Sequence, residues 1–306
     1  MIKGRIWGAV FASTITTLFS VGTATAEPGS QAAAETGTKV AYRPAGNPAD
    51  TAFRLTGNDE LVLSAAPRED ASEAERVYGP VAEYLSKVLD KKVVYKYPGN
   101  WGVYQGLMQK GAYDIAFDGA HFNSWRVDRA QHNVLLKVPG DHIFVVLVKK
   151  DNDRLREIRQ IAGRALCAHA PPNLGTLTAL KEFENPARQP IIINVDGWKE
   201  IYQGLIVGKC VAAVIPLKAF EKFEKDNGHQ AKIIFRGATV PDNGLSAGPR
   251  LTQQDQQKLV QALLSPEGEK ATAKLREKYA GNKSFIATTN KEFSGLSSYL
   301  KNEWGY

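Results

Sequence analysis

Five histidines stand in this 306-residue chain, at His121, His132, His142, His169 and His229, and imidazole is the side chain whose ordinary titration lies near neutral pH. Three of them follow features that read as strand ends or crossings: His121 after the loop Asp118-Gly119-Ala120, His142 after Asp141, and His169 after the run RALCA. Imidazole with carboxylate is a transition-metal donor set, and Asp118, His121 and His169 make up that alternative. No H-x3-H or C-x2-C spacing accompanies them, so hydrogen bonding in a polar cleft is the first reading of these residues. For turnover, Asp118 with His121 would be an acid–base pair, but no nucleophile neighbours them. We read no nucleophile elbow, H-E-x-x-H helix or Walker loop in the chain, so neither catalysis nor a cofactor is expected.

Two tryptophans head a repeated pattern. WGVYQGLMQKG at 101–111 and WKEIYQGLIVG at 198–208 share Tyr-Gln-Gly-Leu, and each leads into an apolar run, DIAF or VAAVI. The two registrations differ by one residue. The echo reads as two lobes built on one α/β plan, with chance likeness between amphipathic helices as the alternative. In open α/β sheets ligands lie at strand carboxyl ends and helix N-termini, so two such lobes face each other across a cleft. Trp101 and Trp198 would then approach on closure and hold a flat group or an organic cation, each contact worth about 0.5–2 kcal/mol. Packing in the core or at the rim is the alternative for each indole.

The elements that must position these residues follow from periodicity. Glu60-LVLSAAP reads as a strand stopped by Pro67. Ser72 to Asp90 reads as an amphipathic helix, with Val77, Val81, Tyr84, Leu85 and Val88 at helical steps and Ser72 with Glu75 as a capping box. KVVYKY is the next strand, Asn100 starts a helix that Gly111 stops, and strands alternate with helices through IIINV and VAAVIP. This alternation predicts parallel α/β sheets covered on both faces. Arg68 and Glu69, after the first strand, are expected in solvent, with the cleft mouth as their alternative.

Composition and the first residues set the class and compartment. Apolar residues make up 43% and charged residues 23%, a globular balance. The net charge of +7 is dispersed, with no basic arm and no zinc-finger spacing, so nucleic acid is not an expected partner. Lys3 and Arg5, a mostly apolar stretch from Ile6 to Val21, and Ala24-Thr25-Ala26 read as a secretory signal peptide over 1–26. Residues 27–58, rich in Ala, Gly, Thr and Pro, read as a flexible leader. An exported protein lives in an oxidising compartment, so Cys167 and Cys210 are read as a disulfide. Their strands would be neighbours in a doubly wound sheet. Two buried free thiols, or a two-thiol metal site, are the alternatives.

The stretch Tyr78-GPVAEYLSKVLDKKVVY, a helix, and then KGAYDIAFDGAHF resembles the phosphonate/phosphate-type periplasmic solute-binding proteins of ABC importers. The resemblance covers about residues 60–250. It implies two doubly wound α/β lobes joined by two crossovers, the type II periplasmic binding fold. The first lobe would take 59–148 with 241–306, and the second 149–240. It also implies closure on a small solute of the phosphonate or oxyanion class and presentation to an ABC permease. A membrane sensor is the alternative partner, and a monomer peripheral to the membrane is expected. Tyr78 resembles a ligand-facing aromatic of the family. The stretch Asn173-Leu174-Gly175-Thr176 matches the place where the family carries a hydroxyl run, but it keeps only the Thr176 hydroxyl. Asn173 would cap that helix and leave N–H groups for an anion. Asp118 stands where the family often has an aromatic residue, and Trp198 where it often has a ligand-contacting His. The expected ligand is therefore organic or zwitterionic. Its anionic end would lie at Asn173, Gly175 and Thr176, its cationic end near Asp118, with Tyr78, Trp101, His121, His142, His169 and Trp198 around it.

Overall fold

The computed structural model describes residues 60–304, so the signal peptide and the leader lie outside the described residues. The chain forms β1 (Glu60–Ala65), α1 (Ala71–Leu89), β2 (Lys92–Tyr95), α2 (Trp101–Gln109), β3 (Ile115–Asp118), α3 (Ala120–Ala130) and β4 (Asn133–Lys137). After the short β5 (Asp141–His142) come β6 (Phe144–Lys149), β7 (Ala165–Ala168), α4 (Leu174–Leu180), β8 (Ile191–Asn194), α5 (Trp198–Ile206), β9 (Ala212–Pro216), α6 (Leu217–Asn227) and β10 (Ala231–Arg236). The chain returns through β11 (Val240–Pro241) to β12 (Gly244–Ala247), α7 (Gln253–Leu263), α8 (Pro266–Ala271), α9 (Ala273–Ala280) and β13 (Ile286–Ala287).

Two sheets result, one per lobe. The first has the order β13-β4-β12-β3-β1-β2 and the second the order β10-β6-β9-β7-β8. In each, three parallel strands are extended by antiparallel ones. β5 and β11 pair with each other, His142 opposite Val240, and form the two-stranded crossing. β11 carries the chain back toward β12 of the first sheet at Val240–Pro241. The outward crossing does not fall at 148: β6 pairs with β9 and β10, so the second lobe begins before Phe144. An apolar run such as FVVLV carries no mark of which sheet will cover it.

Helix ends show why the local reading worked. Asn100 accepts from the Val103 N–H and starts α2 where expected. The cap of α1 is Asp70, which accepts from the Glu73 N–H, in place of the expected Ser72. Either residue can cap, and the carboxylate two positions earlier also favours the helix dipole. One face of α1 buries Val77, Val81, Leu85 and Leu89 against the first sheet, each worth about 1.5–3 kcal/mol.

Cys167 and Cys210 are joined as a disulfide, with a Cα separation of 5.6 Å. It links β7 to the turn that leads into β9, its neighbour in the sheet. A third link joins the lobes. Leu300 is fully buried in a cluster with Tyr104, Phe122 and Trp125 of the first lobe and Leu177 of α4 in the second. The Lys181 ammonium also stands 4.4 Å over the Tyr299 ring.

Candidate ligand-binding cleft

A cavity of about 830 Å³ opens between the lobes, at the carboxyl ends of the parallel strands. The echo seen in the sequence is structural: α2 and α5 each begin at their tryptophan, and both indoles line the cavity. Each also packs on rings of its own lobe. Trp101 stacks on Phe122 at 6.1 Å, and Trp198 meets His169 edge-on at 4.4 Å.

Six of the ten expected ligand residues line the cavity: Trp101, His121, His142, His169, Asn173 and Trp198. Four do not. Tyr78 is buried in the first core, stacked on Tyr95 at 5.0 Å, so its ring packs rather than binds. Gly175 is buried because Phe144 lies over it; a Cβ there would come within 2.6 Å of that ring. The Thr176 hydroxyl faces inward and donates to the His169 carbonyl at 2.5 Å. Asn173 caps α4 by accepting from the Gly175 and Thr176 N–H groups, so these amides are spent on the cap instead of being left for an anion.

The fourth departure is Asp118, and it reorganises the site. Its carboxylate is fully buried between two guanidiniums, Arg68 Nη2 at 2.6 Å and Arg126 Nη2 at 3.0 Å, and also accepts from the Tyr104 hydroxyl. It is therefore not free to receive a ligand cation. Arg126 is buried, and its Nε and Nη1 have no hydrogen-bond partner among the described residues. Burial pulls the Arg126 pKa down, against the pull of Asp118. For Arg68 burial acts the same way, but Asp118 and Tyr279 outweigh it and hold the guanidinium charged. Arg68 lines the cavity instead of standing in solvent. The end of a strand in an open α/β sheet was the available sequence signal. Lys278 and Tyr279 of α9 also line the cavity, and no local pattern pointed to them.

The histidines divide by environment. His121 is 3% exposed and its Nε2 lies 2.9 Å from the Pro172 carbonyl of the other lobe. Burial first, with Arg68 and Arg126 adding repulsion, pushes its pKa down to about 3, so it is neutral and Nε2–H donates. Its Nδ1 is buried without a partner. His142 stands 3.0 Å from Asp242 at the crossing. The His169 pKa is lowered by burial, partly offset by Asp196, whose carboxylate is 3.9 Å away. No cluster of three His, Cys, Asp or Glu side chains poised for a metal occurs among the described residues.

Among the described residues three helices begin at the cavity without a side-chain cap; in α6, behind Pro216, the Leu217 N–H is already spent on the Ile143 carbonyl at 2.7 Å, which leaves two with free first-turn amides. These two are α3, behind Gly119, and α5, behind Gly197 with φ 91°. The pentapeptide Gly244-Leu245-Ser246-Ala247-Gly248 does carry the G-x-S-x-G spacing, which corrects the sequence reading on that point. It forms an interior strand, not a strand–turn–helix elbow, and Ser246 is fully buried beside His132 at 3.2 Å.

Comparison with known proteins agrees with this geometry. No curated protein sequence matches the chain. Among solved structures, a Xanthomonas citri protein bound to ATP superposes with a TM-score of 0.62 at 13% identity, covering 80% of this chain and 98% of that one. A Prochlorococcus marinus protein, PhnD1, in complex with methylphosphonate gives 0.53 at 14% identity, covering 80% and 98%. A binding-protein component of a Pseudomonas aeruginosa phosphonate ABC transporter gives 0.51 at 15%, covering 77% and 83%. These likenesses establish the fold, two α/β lobes of the type II periplasmic binding class. The family model for the periplasmic substrate-binding protein of phosphonate ABC transporters matches residues 63–293, and with the cleft where that role requires it, the chain belongs to this family of transport binding proteins.

Proposed function

We propose that the cleft binds an organic, zwitterionic oxyanion of the phosphonate class and delivers it to an ABC permease. The observation that carries this is the charge at the cleft wall. One carboxylate, Asp118, lies between two guanidiniums, so the buried trio keeps one positive charge, and Arg68 carries it to the cavity. A buried uncompensated charge is costly until an opposite charge arrives. The uncapped starts of α3 and α5 add N–H groups and the positive ends of two helix dipoles, one from each lobe. An anion touching both is favoured only when the lobes are close, which couples binding to closure.

The organic part follows from size and lining. The cavity of about 830 Å³ holds several times what a bare oxyanion fills. Trp101, Trp198, His169 and Phe144 offer flat apolar surface to the remainder of the ligand. The cationic end addresses Asp196, an exposed carboxylate at the cavity, in place of Asp118. Of the solved relatives, one holds methylphosphonate and one ATP, both ligands with oxygens on phosphorus.

Calorimetry with phosphate, methylphosphonate, an aminoalkylphosphonate, a quaternary amine and divalent metals tests the reading. An organic phosphonate binds tightest, and Arg68→Gln weakens it about 10–100-fold through loss of a charge-assisted bond. Binding of metals or the amine alone, or an Arg68→Gln protein that binds as the parent does, overturns it.

A further inference from the structure

The end of the second lobe opposite the cavity carries a feature that ligand binding does not use. The strands β7, β8 and β9 reach the cavity with their carboxyl ends, while their amino ends, with the end of β6, form the far pole. Arg154, Arg156, Arg159, Arg164, Arg188 and Lys209 are all exposed there. Backbone bonds fix them along the edge of the sheet. The Ile191 N–H donates to the Arg164 carbonyl at 2.9 Å, and the Val211 N–H donates to the Ala165 carbonyl at 3.1 Å. Arg164 therefore lies between the start of β8 and the turn of Lys209. The Arg154–Arg159 stretch is held rigid from beneath by buried Leu155, Ile158 and Ile161.

These cations outnumber the exposed carboxylates interleaved with them, Asp151, Asp153 and Glu157. Among the described residues none of the six pairs with a carboxylate; Arg156 makes only a 3.2 Å bond to the Asp153 carbonyl. Residues 143–239 hold 15 Lys and Arg against 10 Asp and Glu, whereas the other described residues hold 19 against 18. The excess charge of the folded body is thus concentrated in this lobe.

A second, independent observation falls at the same place. Ile191 and Val207 are 59% and 76% exposed, the two most exposed large hydrophobic residues among those described. Ile191 opens β8 beside Arg164, and Val207 caps the carboxyl end of α5 two residues before Lys209. Aliphatic side chains flanked by guanidiniums match a bilayer surface, where phosphates lie above an apolar boundary. The arginine fork suits phosphate oxygens better than an ammonium does.

We propose that this pole adsorbs reversibly to an anionic phospholipid surface, its arginines on lipid phosphates and Ile191 and Val207 at the headgroup boundary. The cleft is at the other end of the lobe, so adsorption and ligand binding use separate surfaces. Adsorbed protein is held in the layer where a membrane-embedded permease is found.

Co-sedimentation of the mature protein with vesicles tests this. It binds vesicles of phosphatidylcholine and phosphatidylglycerol in equal parts and not vesicles of phosphatidylcholine alone, and releases at about 0.5 M salt, where screening is nearly complete. Each of Arg154→Glu, Arg156→Glu and Arg164→Glu lowers the partition at least about fivefold. Ile191→Ser with Val207→Ser also lowers it, with ligand affinity unchanged in every variant. Equal binding to both vesicles, or a triple arginine variant that still binds, overturns the proposal. Failure to bind either vesicle overturns it too, and would direct the charges to an acidic protein surface.

Discussion

His121 Nε2 stands 2.9 Å from the Pro172 carbonyl oxygen, a hydrogen bond that runs from one lobe to the other beside the ligand cavity. The bond requires the proton on Nε2, and burial keeps the ring neutral. A protonated ring would bring a further charge toward Arg68 and Arg126, already crowded around one carboxylate.

This sets a pH dependence. Burial holds both His121 and His132 at a pKa of about 3, below the ordinary 6.5. Between these values the unfolded chain takes up protons that the folded chain does not, so these two groups lower stability as pH falls from about 6.5 toward 3. Urea titrations at stepped pH should show this slope. His121→Gln and His132→Asn, which keep a neutral donor or acceptor, should each reduce it by up to one proton. Unchanged slopes in both variants would contradict the assignment.

The Asp118 cluster should be intolerant of partial removal. Asp118→Asn leaves the buried Arg126 guanidinium without its counter-charge and beside Arg68, and costs about 3–5 kcal/mol. The check is chemical denaturation against Lys91→Met, which breaks a half-exposed pair with Asp255 and should cost well under that.

The two indoles should matter separately to the ligand. Trp101→Ala and Trp198→Ala each weaken an organic phosphonate by about 5–30-fold, or 1–2 kcal/mol, while bare phosphate is little affected. Calorimetry on the two variants distinguishes a ligand held by both lobes from one held by Arg68 alone.

The disulfide spans 43 residues within the second lobe. Titration of the unfolded, unreduced protein should find no free thiol. The double variant Cys167→Ala, Cys210→Ala should lose about 2–4 kcal/mol through the freed loop in the unfolded chain, read from urea midpoints.

Leu300 is covered by residues of both lobes. Leu300→Ala should cost about 2–5 kcal/mol. Because the lost contact joins the lobes, ligand affinity should change as well, whereas Leu259→Ala, inside the first core alone, should affect stability only.

Much of the scaffold was legible because its signals are short-range. Helix starts at Asn100 and Asn173, strand–helix alternation and the Trp-led echo all lie within a few residues of the structure they produce. The disulfide was legible because the chain holds two cysteines and their strands are neighbours. Tyr78 misled because an aromatic on a helix face looks the same whether it meets a ligand or Tyr95 across the core.

By itself the sequence determined the α/β class, two lobes, the family and six of the residues that line the cleft. Periodicity and capping depend on near neighbours along the chain, and those are written in order. Only the tertiary structure decided what Asp118 does. Its partners Arg68, Tyr104 and Arg126 come from a loop, α2 and α3, and their approach turns a carboxylate that looked free for a ligand into the buried counter-charge of Arg68, a guanidinium that lines the cavity. Charge compensation in a buried site is set by distance through space and by the loss of water, and neither is visible in the spacing of residues along a chain.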